Sequence, residues 1–458
     1  MIESLFILGL RGFSKQQRID FAIPNGNNGS GLTLLVGANN SGKSTIIEAI
    51  RAISPQPALP SFTQGRRNVK SGDAVSICIT DHQGKSTELR SVNAGSSESH
   101  MNVDEAERNN IFVLPSRRAF NPFFHKHEMD RYSYMVNFIG FPPQRTNSQD
   151  NFGSRLFGAE KNKKKFNEVL GRVLNPVPNW AIDQHDTGNY FLKIMKDSAS
   201  HSSEGLGEGI VSLFFIVDAL YESKPNDVIV IDEPELSLHP SVQKRLSKLL
   251  NEYAKDRQIV ISTHSPYFIE LENLKWGATV ARVHQTDDGC IISQISKKSN
   301  DFITRVLRNS FNPHVFGINA KEIFFLEESV VLVEGQDDVI FYNKILNEID
   351  VKLEASFLGW GIGGADNIRY FANLLSELGF KKVVGILDLD RQHMIESLNE
   401  EFPQYKFYNI KANDVRTKDE RKATEKVIGL LDDKNKVLRH EHLESTKELF
   451  SKVKEYFN

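Results

Sequence analysis

Two pairs of acidic residues are the part of this sequence best suited to chemistry. Glu334 and Asp338 follow the apolar run Val330-Val331-Leu332-Val333, and Asp388 and Asp390 follow Val383-Val384-Gly385-Ile386-Leu387. Short runs rich in branched residues form buried parallel strands. Open parallel sheets place ligands beyond the carboxyl ends of their strands. Alternation along an extended chain points Asp388 and Asp390 to one side. Two adjacent strands therefore bring Glu334, Asp338, Asp388 and Asp390 toward one place. Carboxylates gathered in this way repel one another unless a cation joins them, and hard oxygen ligands suit Mg²⁺ or Mn²⁺.

A second constellation lies near the start of the chain. The strand-like run Leu32-Thr33-Leu34-Leu35-Val36 leads into Gly37-Ala38-Asn39-Asn40-Ser41-Gly42-Lys43-Ser44, and Thr45 opens a helical pattern. A Gly-x-x-x-x-Gly-Lys-Ser loop between a strand and a helix cradles phosphates with its backbone N–H groups. Gly37, Asn39, Asn40, Ser41, Gly42 and Thr45 would line the ATP phosphates. Lys43 would reach the β- and γ-phosphates, and the Ser44 hydroxyl would ligate Mg²⁺. Far downstream, Val228-Ile229-Val230-Ile231 runs into Asp232 and Glu233. Asp232 would hold the Mg²⁺ through water, and Glu233 would orient the attacking water. A third apolar run, Ile259-Val260-Ile261-Ser262-Thr263, ends at His264. At the end of a sheet strand, that histidine reads as a γ-phosphate sensor.

The elements that must position these groups indicate an α/β protein. At 458 residues the chain is long enough for about two or three domains. Charged residues make up 25% and hydrophobic ones 40%, an ordinary globular balance. With a formal net charge of −3, any nucleic-acid surface must be a local patch. Cys78 and Cys290 are the only cysteines, which excludes a disulfide scaffold or a Cys-rich zinc site and fits a reducing, cytoplasmic setting. No apolar run reaches membrane-spanning length, and the segment from Ile2 to Leu10 reads as a first strand and not as a signal peptide. No membrane partner is expected.

Between the first helix and residue 201 lies a long irregular insert, roughly 55–201. Val75-Ser76-Ile77-Cys78-Ile79 alternates as a half-buried strand, and Gln83-Gly84-Lys85 reads as its hairpin turn. Residues 91–99 are small and polar, as in a mobile loop. Arg117 and Arg118 end a further strand and either face phosphate or sit in solvent. Lys161, Lys163, Lys164, Lys165 and Arg172 decorate one expected helix, as a solvated face or a DNA contact. Residues 279–298 look like a strand pair closing the sheet, and a helical connector runs on to 328. No Gly/Ser- or Pro-rich linker precedes Val330, so two rigidly docked domains are expected.

The Glu-Gly strand end followed by Asp-x-Asp resembles the TOPRIM fold, whose members use Mg²⁺ to make or break phosphodiester bonds. The three strands of the first half resemble the ABC-type ATPase heads of structural-maintenance and recombination-repair proteins. That resemblance implies heads dimerised around ATP, with a signature loop from one head reaching the nucleotide of the other. The matching segment contains Ser203, Gly205 and Gly207 and departs from the common Ser-Gly-Gly-Gln form, with Glu208 near the glutamine position. A head followed directly by TOPRIM resembles the overcoming-lysogenization-defect (OLD) family of nucleases. Two further segments support it: Asn319 to Phe325 ahead of the first acidic strand, and the Gly-rich turn from Gly361 to Asn367.

The OLD resemblance implies DNA cleavage by a two-metal mechanism, often in defence against phage. Glu334, Asp338, Asp388 and Asp390 would be the metal ligands, with Asp337 a solvent-facing neighbour. It also implies a basic residue that steadies the scissile phosphate, for which Lys411, Lys418 and Lys422 are candidates. Some compact members accompany retrons, so a reverse transcriptase with its RNA and DNA is a compatible partner.

The resulting expectation is an ABC-type P-loop ATPase domain over 1–310, a connector over 311–328 and a smaller TOPRIM domain over 329–458. The expected function is an ATP-binding, divalent-metal-dependent DNA endonuclease, active as a homodimer or higher assembly and regulated by its ATPase head. A repair-type ATPase whose TOPRIM half binds nucleic acid without cleaving it is the main rival. A primase- or topoisomerase-like activity is a second.

Overall fold

The computed structural model describes residues 1–103, 110–118, 120, 123–138, 152–196, 199–202, 207–306, 324, 326, 329–353, 355–359, 364–418, 420, 425–434 and 436–457. The chain divides into two compact units, Met1–Gln294 and Ile295–Asn458. The helix Lys297–Val306 groups with the second unit, and of the connector expected over 311–328 only Phe324 and Leu326 are among the described residues.

The first unit is built on a six-stranded sheet. Strands Leu32–Val36, Gln258–Ser262, Val228–Asp232 and Ile111–Leu114 lie side by side in that order, all parallel. Every residue of the first three is buried, as expected of apolar runs covered on both faces. The hairpin of Thr279–Thr286 and Gly289–Gln294 closes the sheet on the other side of Leu32–Val36, the second strand antiparallel to the first. Helices Lys43–Ile53, Glu208–Tyr221 and Pro240–Tyr253 accompany it.

Two antiparallel sheets complete this unit. In one, Ile2–Leu8 pairs with Gln17–Asp20 and Ser76–Asp81, and the meander continues through Ser86–Ser91 to Ser99–Val103. The expected loop at 91–99 is the hairpin between those last strands, held by a 3.0 Å bond from the Val92 N–H to the Glu98 carbonyl. In the insert, the lysine-rich stretch forms two helices, Phe152–Lys161 and Lys163–Leu170, broken at Asn162. Lys161 pairs with Glu128, Arg172 with Glu252, and Lys163 lies 5.0 Å over the Trp180 ring. Much of that charge is therefore committed within the fold, leaving Lys164 and Lys165 exposed.

The second unit has a four-stranded parallel sheet in the order Ser356–Leu358, Ser329–Val333, Lys382–Leu387, Lys406–Asn409. Val331, Val333, Val384 and Ile386 pack with Tyr342 and Ile345 of helix Gln336–Glu348 and Phe450 and Val453 of helix His440–Phe457. The alternate residues Val330, Leu332 and Val383 are equally buried, so both faces are covered.

Candidate functional site

The phosphate loop has the required local geometry. Gly37 adopts φ +141°, and a Cβ there would lie 2.0 Å from the Val283 carbonyl oxygen, so only glycine fits. Gly42 precedes helix Lys43–Ile53 in a left-handed conformation. The Lys43 ammonium donates to the carbonyls of Gly37 at 3.0 Å and Ala38 at 2.9 Å. Burial lowers its pKa, against the opposing pull of Glu233, Asp232 and Glu235.

Because Gln258–Ser262 lies between the phosphate-loop strand and Val228–Asp232, the strand ends converge. Ser44 Oγ donates to Asp232 Oδ1 at 3.4 Å, and Ser262 Oγ donates to the same oxygen. Glu233 sits at φ 48°, a strained conformation for a residue with a side chain. His264 Nε2 lies 3.8 Å from Glu233 Oε1, and its backbone N–H donates to Glu235 Oε1 at 2.6 Å. Burial and, secondarily, Lys43 hold His264 below the usual histidine pKa, which keeps the ring neutral near pH 7.

Asn39, Asn40, Ser41, Gly42, Lys43, Ser44, Thr45, Asp232, Glu233 and His264 line one cavity of about 640 Å³ with Arg11, Arg51 and Arg117. Of the two arginines left open in sequence, Arg117 is exposed beside this cavity, whereas Arg118 is buried. In the expected signature segment, Ser203 and Gly205 lie outside the described residues. Gly207 directly precedes helix Glu208–Tyr221 in an extended conformation.

The acidic strand ends of the second unit also meet. Carboxylate oxygens of Glu334, Asp388 and Asp390 all lie within 4.8 Å of one another. Strands Ser329–Val333 and Lys382–Leu387 pair in parallel register, which sets the two ends side by side. Asp338 is held differently. At the third position of helix Gln336–Glu348, its Oδ2 accepts from the Gly335 N–H at 2.9 Å, a helix-capping bond.

Burial, then Asp338, Glu334, Asp414 and Asp390 in turn, push the Asp388 carboxyl up to about 9. Burial, with Glu334, Asp414 and Asp337 adding, pushes Asp338 up to about 7. Glu334 is raised mainly by burial. Crowded, partly buried carboxyls that resist ionisation are the donor set a hard divalent cation fits, since the cation removes the repulsion. Glu334, Asp388 and Asp390 would hold it, with Asp338 adjoining.

Asp337 does not simply face solvent: it pairs with Arg416 at 2.8 Å. Lys411 is exposed, between buried Ile410 and Ala412. It lines a groove with Tyr408, Ser445, Glu448 and Lys452. Among the described candidates, Lys418 approaches the acidic group, through contact with Asp414, while Lys422 lies outside the described residues. Asp414 itself was missed. It is 8% exposed, and its Oδ1 accepts from the Arg416 N–H at 2.9 Å. A single aspartate in an irregular segment carries no spacing signal that could have found it.

Comparison with known proteins places both halves. Residues 80–270 match the family described as "AAA domain, putative AbiEii toxin, Type IV TA system", a match that begins beyond the phosphate loop. Residues 325–390, containing all four expected acidic ligands, match the "Overcoming lysogenization defect protein-like, TOPRIM domain". Endonuclease GajA of Bacillus cereus (strain VD045) is 28% identical over 42% of this chain and 32% of its own length. The OLD nuclease of Thermus scotoductus is 28% identical over 42% of this chain and 37% of its own. The chain thus spans about a third of the length of these curated relatives. The SMC head domain from Thermotoga maritima is 15% identical, covering 64% of this chain and 99% of that one, with a TM-score of 0.38. In sequence order, then, the chain matches an AAA-type ATPase domain and an OLD-like TOPRIM domain, and it is similar to OLD-type nucleases.

Proposed function

We propose that this chain is an ATP-binding, divalent-metal-dependent DNA endonuclease, regulated by its ATPase unit and serving in defence against phage. The convergence of Glu334, Asp388 and Asp390 at the carboxyl end of a parallel sheet carries the reading. When bound, Mg²⁺ or Mn²⁺ supplies Lewis acidity and an activated water for phosphodiester hydrolysis. The chain's own residues do the positioning. Glu334 is oriented by the Asp388 N–H, Asp338 is fixed by its capping bond, and Lys418 supplies a cation beside Asp414. In the ATPase unit, Lys43 and the loop N–H groups bind phosphate, Ser44 and Asp232 address its magnesium, and Glu233 orients water. The nuclease names of the relatives support a nucleic-acid substrate, which we take to be DNA, and the resemblance to ATPase heads that dimerise around ATP supports a homo-oligomeric assembly.

The experiment is conversion of supercoiled plasmid to nicked or linear forms by the full chain with Mg²⁺ or Mn²⁺. EDTA should abolish it, and Glu334→Ala should lack it. DNA that is bound but never cut under any of these metals would contradict the endonuclease reading and favour a binding module.

A further inference from the structure

Arg118 occupies a position that no motif predicts. It is 6% exposed, yet every branch of its guanidinium has a partner. Nη1 donates to the carbonyls of Asp232 at 2.6 Å and Pro115 at 2.8 Å. Nη2 donates to the carbonyl of Glu233 at 2.7 Å, and Nε to Ser212 Oγ at 2.6 Å. One planar fork therefore ties the turn after strand Ile111–Leu114 to the backbone of the Mg²⁺-addressing and water-orienting residues. It also ties both to helix Glu208–Tyr221, which follows the expected signature segment.

Glu233 needs such support. Its φ of 48° is costly for a non-glycine residue and persists only where the surroundings over-determine it. Its N–H donates to the Ser262 carbonyl at 3.0 Å, and Arg118 holds its carbonyl from the other side. The helix start comes close to the same turn, because a Cβ at Gly209 would lie 2.3 Å from the Ser237 carbonyl oxygen.

We propose that Arg118 is a positioning residue for ATP hydrolysis, fixing the backbone at Asp232 and Glu233 so that both carboxylates face the nucleotide cavity. Lysine cannot replace it, since a single ammonium lacks the fork that spans three carbonyls and a hydroxyl. The inference rests on the ATPase reading, and the test separates the two.

Steady-state ATP hydrolysis and binding of a fluorescent ATP analogue are measured on the full chain as wild type, Arg118→Lys and Ser212→Ala, with folding checked by circular dichroism. Arg118→Lys should bind nucleotide within about 3-fold of wild type while kcat falls about 100-fold, the scale of a misplaced catalytic group. Ser212→Ala, which frees one branch of the fork, should lose several-fold in kcat with binding intact. If Arg118→Lys does not fold, Ser212→Ala decides, and unchanged kcat there overturns the proposal. So does a folded Arg118→Lys that hydrolyses ATP normally, or one that loses affinity and kcat in equal measure. Wild-type protein that hydrolyses no ATP would instead overturn the ATPase reading, and this assignment with it.

Discussion

The backbone N–H of Asp388 donates to Oε1 of Glu334 at 2.8 Å, across two strands 54 positions apart in the chain. This bond orients one carboxylate by the backbone of the next and leaves the other Glu334 oxygen available. It also makes the acidic site a property of strand register. A slip of one residue between Ser329–Val333 and Lys382–Leu387 would turn the side chains to opposite faces and dismantle it.

The protonation of this site predicts how stability depends on pH. Asp388 and Asp338 have folded pKa values of about 9 and about 7, above their ordinary 3.8, so the folded state holds extra protons between these limits. Without metal, stability is then fully present below about pH 4 and is lost as pH rises through 7 to 9. Thermal melts in EDTA should therefore fall by several degrees across this interval. Added Mg²⁺ should restore stability most at high pH, where the ligands ionise readily. Asp388→Asn should flatten the EDTA profile. A metal-free profile that rises from pH 5 to 9 would contradict this.

The insert is anchored by an ion network. Arg155, 2% exposed, meets Asp218 of helix Glu208–Tyr221 at 3.0 Å and Glu222, the residue that follows the helix. Breaking a buried pair from one side leaves the other charge uncompensated, which costs about 3–5 kcal/mol. Asp218→Ala should lower the urea midpoint accordingly, whereas Lys161→Ala, removing an exposed pair with Glu128, should change it little.

For the ATPase unit, Lys43→Ala should abolish nucleotide binding. Glu233→Gln should bind ATP yet hydrolyse it about 100-fold or more slowly, the usual scale for losing an acid–base group. Normal hydrolysis by both variants would mean the nucleotide site is wrongly assigned.

Nucleotide should also govern cutting. Plasmid cleavage by wild type should change on adding ATP, and that response should vanish in Lys43→Ala. Identical cleavage by the two proteins, with and without ATP, would show two independent activities in one chain.

Much of this was legible because apolar runs stop at the residues that do the chemistry. The strands before Gly37, Asp232, His264, Glu334 and Asp388 all form where the runs predict, since buried parallel strands need continuous branched residues. What escaped depends on contacts distant in sequence. Asp414 and Arg416 reach the site from an irregular segment, where no period exists to read. The choice between solvent and interior for Arg118 was open because its partners, Ser212 and the carbonyls of Asp232 and Glu233, lie about a hundred residues away. Asp338 fits the ligand spacing, but that spacing is also the helix-capping one, and the cap is the bond it makes.

The most direct test of the account compares Mn²⁺ binding, by calorimetry, with plasmid cleavage in four proteins: wild type, Glu334→Ala, Asp388→Ala and Asp337→Ala. Glu334→Ala and Asp388→Ala should lose tight metal binding and cutting together while still hydrolysing ATP. Asp337→Ala, whose carboxylate is engaged by Arg416, should bind metal and cut. If Glu334→Ala cuts like wild type, or Asp337→Ala is the inactive variant, the metal does not sit where the three converging carboxylates place it.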